Sequence, residues 1–130
     1  MYVLDTNICI ELMAGDRRVI EHMAALERVR VSVSAVTIAE LAYGAARCAK
    51  PDYELAQVNR LVRNFVVLPV DSAVAMQYGA VKWHLASRGE LLEDNDLFIA
   101  ATALSRGFTL VTHDRGFSPI PDLPLEDWLE

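Results

Sequence analysis

The amino-acid sequence predicts a three-layer α/β/α domain with a mostly parallel sheet of four to five strands. Short apolar runs rich in β-branched residues alternate with longer segments of helical periodicity along the whole chain. This alternation is typical of βα units whose parallel sheet is covered by helices on both faces. A length of 130 residues and an apolar fraction of 53% suffice for a buried core, so residues 1–130 are expected to form a single domain.

Four strands are predicted, each a short apolar run bounded by polar or turn-forming residues. They cover Tyr2–Leu4, Val29–Val33, Phe65–Leu68 and Phe108–Thr112. The second run alternates and is rich in β-branched residues, which favours a strand. In a parallel sheet the carboxyl ends of the strands share one edge, where ligands of open α/β folds bind.

Helices are predicted between the strands and at the end of the chain. They cover Ile8–Met13, Val19–Leu26, Val36–Ala46, Tyr53–Asn64, Ser72–Ser87, Asp96–Leu104 and Glu126–Leu129. Asp16 and Asp71 precede two of these helices and are interpreted as N-caps, because Asp is a favoured capping residue. The proline-containing segment Phe117–Pro121 is predicted to be an exposed turn.

The composition restricts the class of partner. The formal net charge of −6 does not suggest a protein held to nucleic acid by a general basic field, and it suits a site that gathers carboxylates around a cation.

Cys9 and Cys48 have no neighbouring metal-ligand pattern and are interpreted as reduced core thiols. No signal peptide precedes the first strand, and no apolar run approaches the ~18 residues that span a bilayer. A cytoplasmic protein without a membrane partner is expected.

Four acidic residues could meet at the carboxyl edge of the sheet. Asp5 and Asp114 directly follow the first and the fourth predicted strand. Glu40 lies in the first turns of the helix after the second strand, and Asp96 opens the most apolar helix of the chain. Clustered carboxylates repel one another unless they are protonated or bound to a cation. Mg²⁺, with Mn²⁺ as the alternative, is therefore the expected cofactor, since hard divalent ions take oxygen ligands.

Each of these acids also has a purely structural interpretation. Asp5 could N-cap the helix that follows it, and Asp114 could be an ordinary turn acid. The segment Thr37–Glu40 matches a capping box, in which the glutamate would bond back to the start of its helix. Asp96 could cap its own helix, as could Asp94. Spacing along the chain leaves both interpretations open.

Motifs distributed along the chain carry a family resemblance. They read LDTN at 4–7, VTIAEL at 36–41, NDLFIAATAL at 95–104 and LVTHD at 110–114. In this order they resemble the PIN-domain ribonucleases, and more narrowly the VapC-type toxins of bacterial toxin–antitoxin pairs. The resemblance extends to Asp127-Trp128, so it covers essentially the whole chain and implies a PIN-like fold.

The resemblance implies roles for the four acids and for two threonines. It assigns Asp5, Glu40 and Asp96 to the acidic triad of the family, Asp114 to its more variable fourth acid, and Thr6 and Thr112 to positions that support the metal or its waters. Asp94 falls outside the main pattern and is kept only as an outer supporting group.

The chemistry of phosphodiester hydrolysis fits these residue types. The reaction needs a nucleophilic water and stabilisation of charge on the phosphate, which carboxylate-bound divalent ions supply. Asp5 and Asp96 are expected to be the principal metal ligands, and Asp114 to coordinate through water or to hold a second ion. Glu40 is expected to position or deprotonate the attacking water. The resulting prediction is a metal-dependent endoribonuclease.

The resemblance also implies partners. VapC-type toxins usually cut structured RNA, often tRNA anticodon loops, whose unpaired bases can be splayed out. The segments Asp5–Ile10 and Glu126–Leu129 resemble the group that acts on initiator tRNA. A small VapB-type antitoxin is expected to cover the site with a basic side chain, and homodimers are the family norm. The rival prediction is a catalytically inactive PIN-like scaffold or binding module, which is disfavoured because all four acid positions are occupied.

Several basic residues could contact phosphates, although ordinary surface charge is the simpler interpretation of each one. They are Arg17, Arg18, Arg47, Lys50, Arg88 and Arg115. His113 could contact the substrate because it neighbours Asp114.

Overall fold

The computed structural model describes residues 1–130, with the side chain of Val29 left outside the description. Within this range five strands form one sheet: β1 (Tyr2–Leu4), β2 (Val31–Ser34), β3 (Val66–Leu68), β4 (Thr109–Val111) and β5 (Leu125–Glu126). The strands are hydrogen-bonded in the order β3-β2-β1-β4-β5, and each neighbouring pair is parallel. The predicted three-layer α/β/α fold with a parallel sheet is confirmed.

Helices connect the strands and cover the sheet. They are α1 (Thr6–Met13), α2 (Arg17–Ala24), α3 (Ala35–Ala46), α4 (Pro51–Asn64), α5 (Ser72–Ser87) and α6 (Asp94–Arg106), with one-turn 3₁₀ helices at Arg28–Arg30 and Arg115–Phe117. Asp16 and Asp71 N-cap α2 and α5 as predicted, and their carboxylates accept hydrogen bonds from backbone N–H groups of the first turn. These caps satisfy donors that have no partner inside the helix.

The two faces of the sheet bury separate cores. Val3 of β1 and Leu110 of β4 belong to a cluster beneath α5 and α6. Leu4 and Val111, the next residue in each strand, belong to a cluster beneath α1 to α4. Successive side chains of a strand point to opposite faces, so a strand covered on both sides must be apolar throughout. This explains why β1 and β4 appear in the sequence as continuous apolar runs.

The second strand and the C-terminal segment differ from the prediction. β2 begins at Val31 rather than Val29, because a 3₁₀ turn precedes it. Phe117 and Ile120 were predicted to lie in an exposed turn, but both are buried in the core under α5 and α6. The predicted terminal helix is absent from the described chain, where Leu125–Glu126 instead pairs in parallel with β4. Turn-forming residues set the backbone path but do not prevent apolar side chains from entering the core.

The sheet order places β1 between β2 and β4. The last residue of β1, Leu4, is level with Val33 of β2 and Val111 of β4. The residues that follow these strands therefore emerge side by side at one edge, as a parallel sheet requires. Across the described residues, no helix combines the length and the apolar character needed to cross a membrane.

Candidate active site

Asp5 lies at the centre of the carboxyl edge, directly after β1, and only 4% of its surface is exposed. It is the N-cap of α1, and its Oδ1 accepts a 2.8 Å hydrogen bond from the backbone N–H of Thr6. Its Oδ2 accepts a 2.8 Å hydrogen bond from the hydroxyl of Thr112. The capping interpretation of Asp5 is thus correct, but it accounts for only one of the two carboxylate oxygens.

Thr112 links the ends of two segments. Its hydroxyl donates to Asp5 and accepts a 3.0 Å hydrogen bond from the backbone N–H of Asp114. The Oδ1 of Asp114 accepts from the N–H of Gly116 at 2.8 Å, which starts the following 3₁₀ turn. The turn-acid interpretation of Asp114 is therefore also correct. The turn orients this carboxylate beside Asp5, where its charge contributes to the raised pKa of Asp5.

Glu40 does not belong to a capping box. Helix α3 starts at Ala35, with Ser34 as its N-cap, so Glu40 lies in the second turn. Its Oε1 accepts a 2.7 Å hydrogen bond from the hydroxyl of Thr6, at the start of α1. The Thr37 hydroxyl lies 3.1 Å from the same Thr6 oxygen. Sequence reasoning missed Thr37 as a site residue, although its position three residues before Glu40 places both on one face of the helix.

Burial and neighbouring acidic charges shift the pKa values of Asp5 and Asp96. Burial raises the pKa of Asp5, and the charges of Glu40 and Asp114 raise it further, against hydrogen bonds from Thr112 and Thr6 that lower it. Burial also raises the pKa of Asp96 to about 6, with added contributions from Asp5, Glu40, Asp114 and then Glu93. Carboxylates must lie close together to affect one another in this way. The four predicted acids therefore lie within electrostatic range of one another at the carboxyl edge of the sheet.

Asp94 lies outside this group. It is the first residue of α6, and its Oδ1 accepts hydrogen bonds from the Tyr78 hydroxyl at 2.8 Å and from the Lys82 ammonium at 3.0 Å. Both partners are on α5, so this contact joins the two helices and does not support the acidic site. The interpretation of Asp94 as an outer supporting group has no support in these contacts.

The donor set fits a hard divalent cation. In the described part of the chain, no three His, Cys, Asp or Glu side chains form a closed cluster ready to hold a metal ion. An open set of carboxylates suits Mg²⁺ well, because this ion keeps several waters and is bound by one or two carboxylates. Burial first, and then repulsion from neighbouring acids, raise the pKa values of Asp5 and Asp96, and a bound cation would offset both effects. Asp5 and Asp96 could hold the ion directly, with Asp114 reaching it through a bound water.

A groove of about 970 Å³ runs alongside Glu40 and Thr6 between α1, α3 and α4, and Asn95 of α6 also lines it. Its outer walls carry Tyr43 and Tyr53, both exposed. Glu40 therefore borders a space large enough for a ligand. On the other side of the site, His113 Nδ1 lies 2.7 Å from the Asp127 carboxylate, and its contact with substrate stays a prediction.

Comparisons with known proteins agree with this geometry. The chain matches the PIN domain over residues 2–123. It is 34% identical over 128 residues to the tRNA(fMet)-specific endonuclease VapC of Salmonella typhimurium, covering 98% of this chain and 97% of that protein. It is 33% identical over 131 residues to ribonuclease VapC2 of Haemophilus influenzae, covering 98% of each. A chain in the crystal structure of DNA-bound VapBC from Salmonella typhimurium superposes with a TM-score of 0.93 at 33% identity, over 98% of this chain and 97% of that one.

Proposed function

Since this chain belongs to the PIN-domain family, among the VapC-type ribonucleases, we propose that it is a divalent-metal-dependent endoribonuclease toxin. The observation that carries the proposal is the grouping of Asp5, Glu40 and Asp114 around Asp96, where burial first and then these three charges raise the pKa of Asp96 to about 6. Perturbed carboxyl groups gathered beside an open groove are typical of a catalytic site.

Each of these side chains has a separate role in phosphodiester hydrolysis. A bound Mg²⁺ or Mn²⁺ would neutralise the carboxylates and polarise the phosphate. Asp5 and Asp96 would be the principal metal ligands, and Asp114 would act through water or hold a second ion. Glu40 orients the attacking water and accepts its proton, and Thr6 holds one Glu40 oxygen in place at 2.7 Å. Thr112 fixes Asp5 through its 2.8 Å hydrogen bond.

The proposed substrate is structured RNA cut in an unpaired loop, with the tRNA anticodon loop as the leading candidate. One relative, from Salmonella typhimurium, is a tRNA(fMet)-specific endonuclease, which makes initiator tRNA the first substrate to test. Unpaired bases can leave the stack and enter a protein groove, whereas the bases of a duplex cannot.

The proposed partner is a VapB-type antitoxin. A structural neighbour at 33% identity is part of a VapBC complex. The four clustered carboxylates complement an arginine or lysine side chain from such a partner, since opposite charges across an interface favour association. Toxin and antitoxin would meet in the cytoplasm, where an RNA-cleaving toxin has its substrate.

A homodimer is also part of the proposal. Helix α5 buries Val74, Val81 and Leu85 on its inner face, yet its outer face exposes 76% of Met76 and 75% of Trp83. A helix that is apolar on both faces is usually covered on both. The outer face of α5 is therefore the surface we assign to contact with a second copy of the chain.

A cleavage assay with the purified chain tests the proposed activity. Initiator tRNA and its isolated anticodon stem-loop would be incubated with Mg²⁺, with Mn²⁺ or with a chelator, and the new RNA ends would be sequenced. We expect cleavage at one loop position that the chelator stops. Intact RNA under all metal conditions would contradict the proposal and favour the inactive scaffold.

A further inference from the structure

The groove beside the acidic site carries two exposed aromatic side chains. Tyr43 on α3 is 69% exposed and Tyr53 on α4 is 61% exposed, and both line the same groove as Glu40 and Thr6. A single exposed aromatic residue needs no explanation. Two in one groove, continuous with a candidate catalytic carboxylate, point to a ligand with flat apolar surfaces.

An arginine completes this surface. The guanidinium carbon of Arg47 lies 5.2 Å from the centre of the Tyr43 ring, within the range of a cation–π contact. Glu40, Tyr43 and Arg47 follow one another at the i, i+3 and i+7 positions of α3, so they lie along one face of the helix. At 1.5 Å per residue, Arg47 is roughly 10 Å along the axis from Glu40, about the length of three stacked nucleotides.

Ion pairing distinguishes Arg47 from three of the other candidate phosphate contacts. Arg18, Arg88 and Arg115 each lie within 2.8 to 4.0 Å of a carboxylate oxygen, so their charges are already compensated. Arg47 lies over an aromatic ring inside the groove instead. Glu40 and Glu54 also line the groove, so two carboxylates outweigh the single Arg47 charge there. This favours stacking over a general attraction for phosphates.

We propose that Tyr43, Arg47 and Tyr53 form a platform on which unpaired RNA bases next to the scissile phosphate stack. This inference rests on the proposed ribonuclease activity. Tyrosine rings and guanidinium planes are the groups on which proteins stack splayed bases. The platform would restrict cleavage to single-stranded loops, because the bases of a duplex cannot reach it.

The test compares variants of the full chain on a stem-loop RNA whose loop bases are replaced, one at a time, by 2-aminopurine. Stacking on the protein quenches 2-aminopurine fluorescence, and cleavage of the same RNA gives KM and kcat. We expect Tyr43→Ala and Tyr53→Ala each to raise KM about 10-fold, since stacking contributes about 1–3 kcal/mol per base. Both should reduce the quenching and leave kcat and Mn²⁺ affinity unchanged.

Conservative substitutions and matched control variants show whether loss of the aromatic ring causes the rise in KM. Tyr43→Phe and Tyr53→Phe keep the aromatic face and should stay within about 2-fold of the wild-type KM. Leu55→Ala and Arg63→Ala alter exposed residues of α4 outside the groove and should change nothing. An unchanged KM and quenching in both alanine variants would overturn the platform and leave the groove to a protein partner.

The outcomes distinguish a failure of the stacking platform from a failure of the proposed ribonuclease activity. If the wild-type chain cleaves RNA and the alanine variants cleave equally well, the platform is wrong and the ribonuclease stands. If the wild-type chain binds the stem-loop without ever cleaving it, and quenches the 2-aminopurine fluorescence in a way that depends on Tyr43 and Tyr53, the platform stands and the catalytic proposal is wrong.

Discussion

The hydroxyl of Thr6 donates a 2.7 Å hydrogen bond to Glu40 Oε1, which joins the first residue of α1 to the second turn of α3 across 34 positions of sequence. This contact couples the segment that carries Asp5 to the helix that carries Glu40. Because one carboxylate oxygen is held, the other can be directed into the groove. The orientation of Glu40 therefore depends on a residue that holds no metal in the proposed mechanism.

Thr6→Val should slow cleavage without removing the metal. Valine has the shape of threonine but cannot donate to Glu40, and a hydrogen bond to a charged group contributes about 1.5–3 kcal/mol. We expect kcat to fall about 10- to 100-fold, with Mn²⁺ affinity within about 2-fold of wild type. Thr6→Ser keeps the hydroxyl and serves as the control. Equal kcat for the valine and serine variants would show that Glu40 needs no such support.

Asp5→Asn should abolish cleavage and leave the fold intact. The amide keeps the size of the side chain and can still accept from the Thr6 N–H, so α1 retains its cap. Loss of one buried charge also removes repulsion from Glu40 and Asp114. Because the Thr112 hydroxyl loses its carboxylate acceptor at the same time, the two effects oppose each other. The metal-free variant should therefore melt close to the wild-type temperature, as measured by circular dichroism. Substantial residual, chelator-sensitive cleavage would exclude Asp5 as a ligand.

The metal-free protein should lose stability as the pH rises from about 4 to 6. The pKa of Asp96 is about 6 in the folded chain, against 3.8 as its ordinary value. In this interval the folded state binds the proton more tightly than the unfolded state, so deprotonation costs folding free energy. The loss should be about 1 kcal/mol, since the partly exposed side chain is screened by solvent.

Urea titrations at several pH values in chelator would measure this loss, with Asp96→Asn as the control that lacks the titrating group. The variant should show a flatter dependence on pH. If the free energy of unfolding of the wild-type chain instead rose over the same pH interval, the raised pKa of Asp96 would be refuted.

Divalent cations should bind more tightly at pH 7 than at pH 5. A metal ion competes with protons for Asp5 and Asp96, whose pKa values are raised. Calorimetric titration with Mn²⁺ should show binding at neutral pH, proton release that depends on the buffer, and weaker affinity in acid. No heat at millimolar Mn²⁺ would favour a catalytically inactive scaffold.

Trp83→Glu should separate the proposed homodimer. A charge introduced into an apolar interface must be desolvated without a partner, which strongly disfavours association. We expect light scattering to show a dimer for the wild-type chain and a monomer for this variant. Leu55→Glu, on the exposed side of α4, is the control and should remain dimeric. A wild-type chain that stays monomeric at all concentrations would contradict the assignment of the outer face of α5 as the dimer interface.

Much of the site could be predicted because its acids follow elements with strong local signals. Asp5 comes directly after the apolar run Tyr2–Leu4, and Asp114 is the third residue after the end of β4. The position of a residue after a parallel strand places it at a known edge of the sheet. The structural interpretations of Asp5 and Asp114 proved correct as well, since each carboxylate caps the following turn through its Oδ1.

Two features of the structure, the last strand and the role of Thr37, could not be predicted from the neighbouring residues in the sequence. The strand Leu125–Glu126 has only two residues, too few for periodicity, and it forms because β4 offers an open edge. Thr37 looked like half of a capping box, but Ser34 caps α3 and frees the Thr37 hydroxyl for Thr6.

The sequence by itself determined the layered fold, the identity of the acids and the strands that carry them, because these depend on the order and polarity of neighbouring residues. Only the tertiary structure decided that Thr6 holds Glu40 and that Asp96 has a pKa of about 6. It also placed Tyr43 and Tyr53 in the groove that leaves the site. Hydrogen bonds, desolvation and charge repulsion depend on distances between segments far apart in the chain, and those distances exist only after packing.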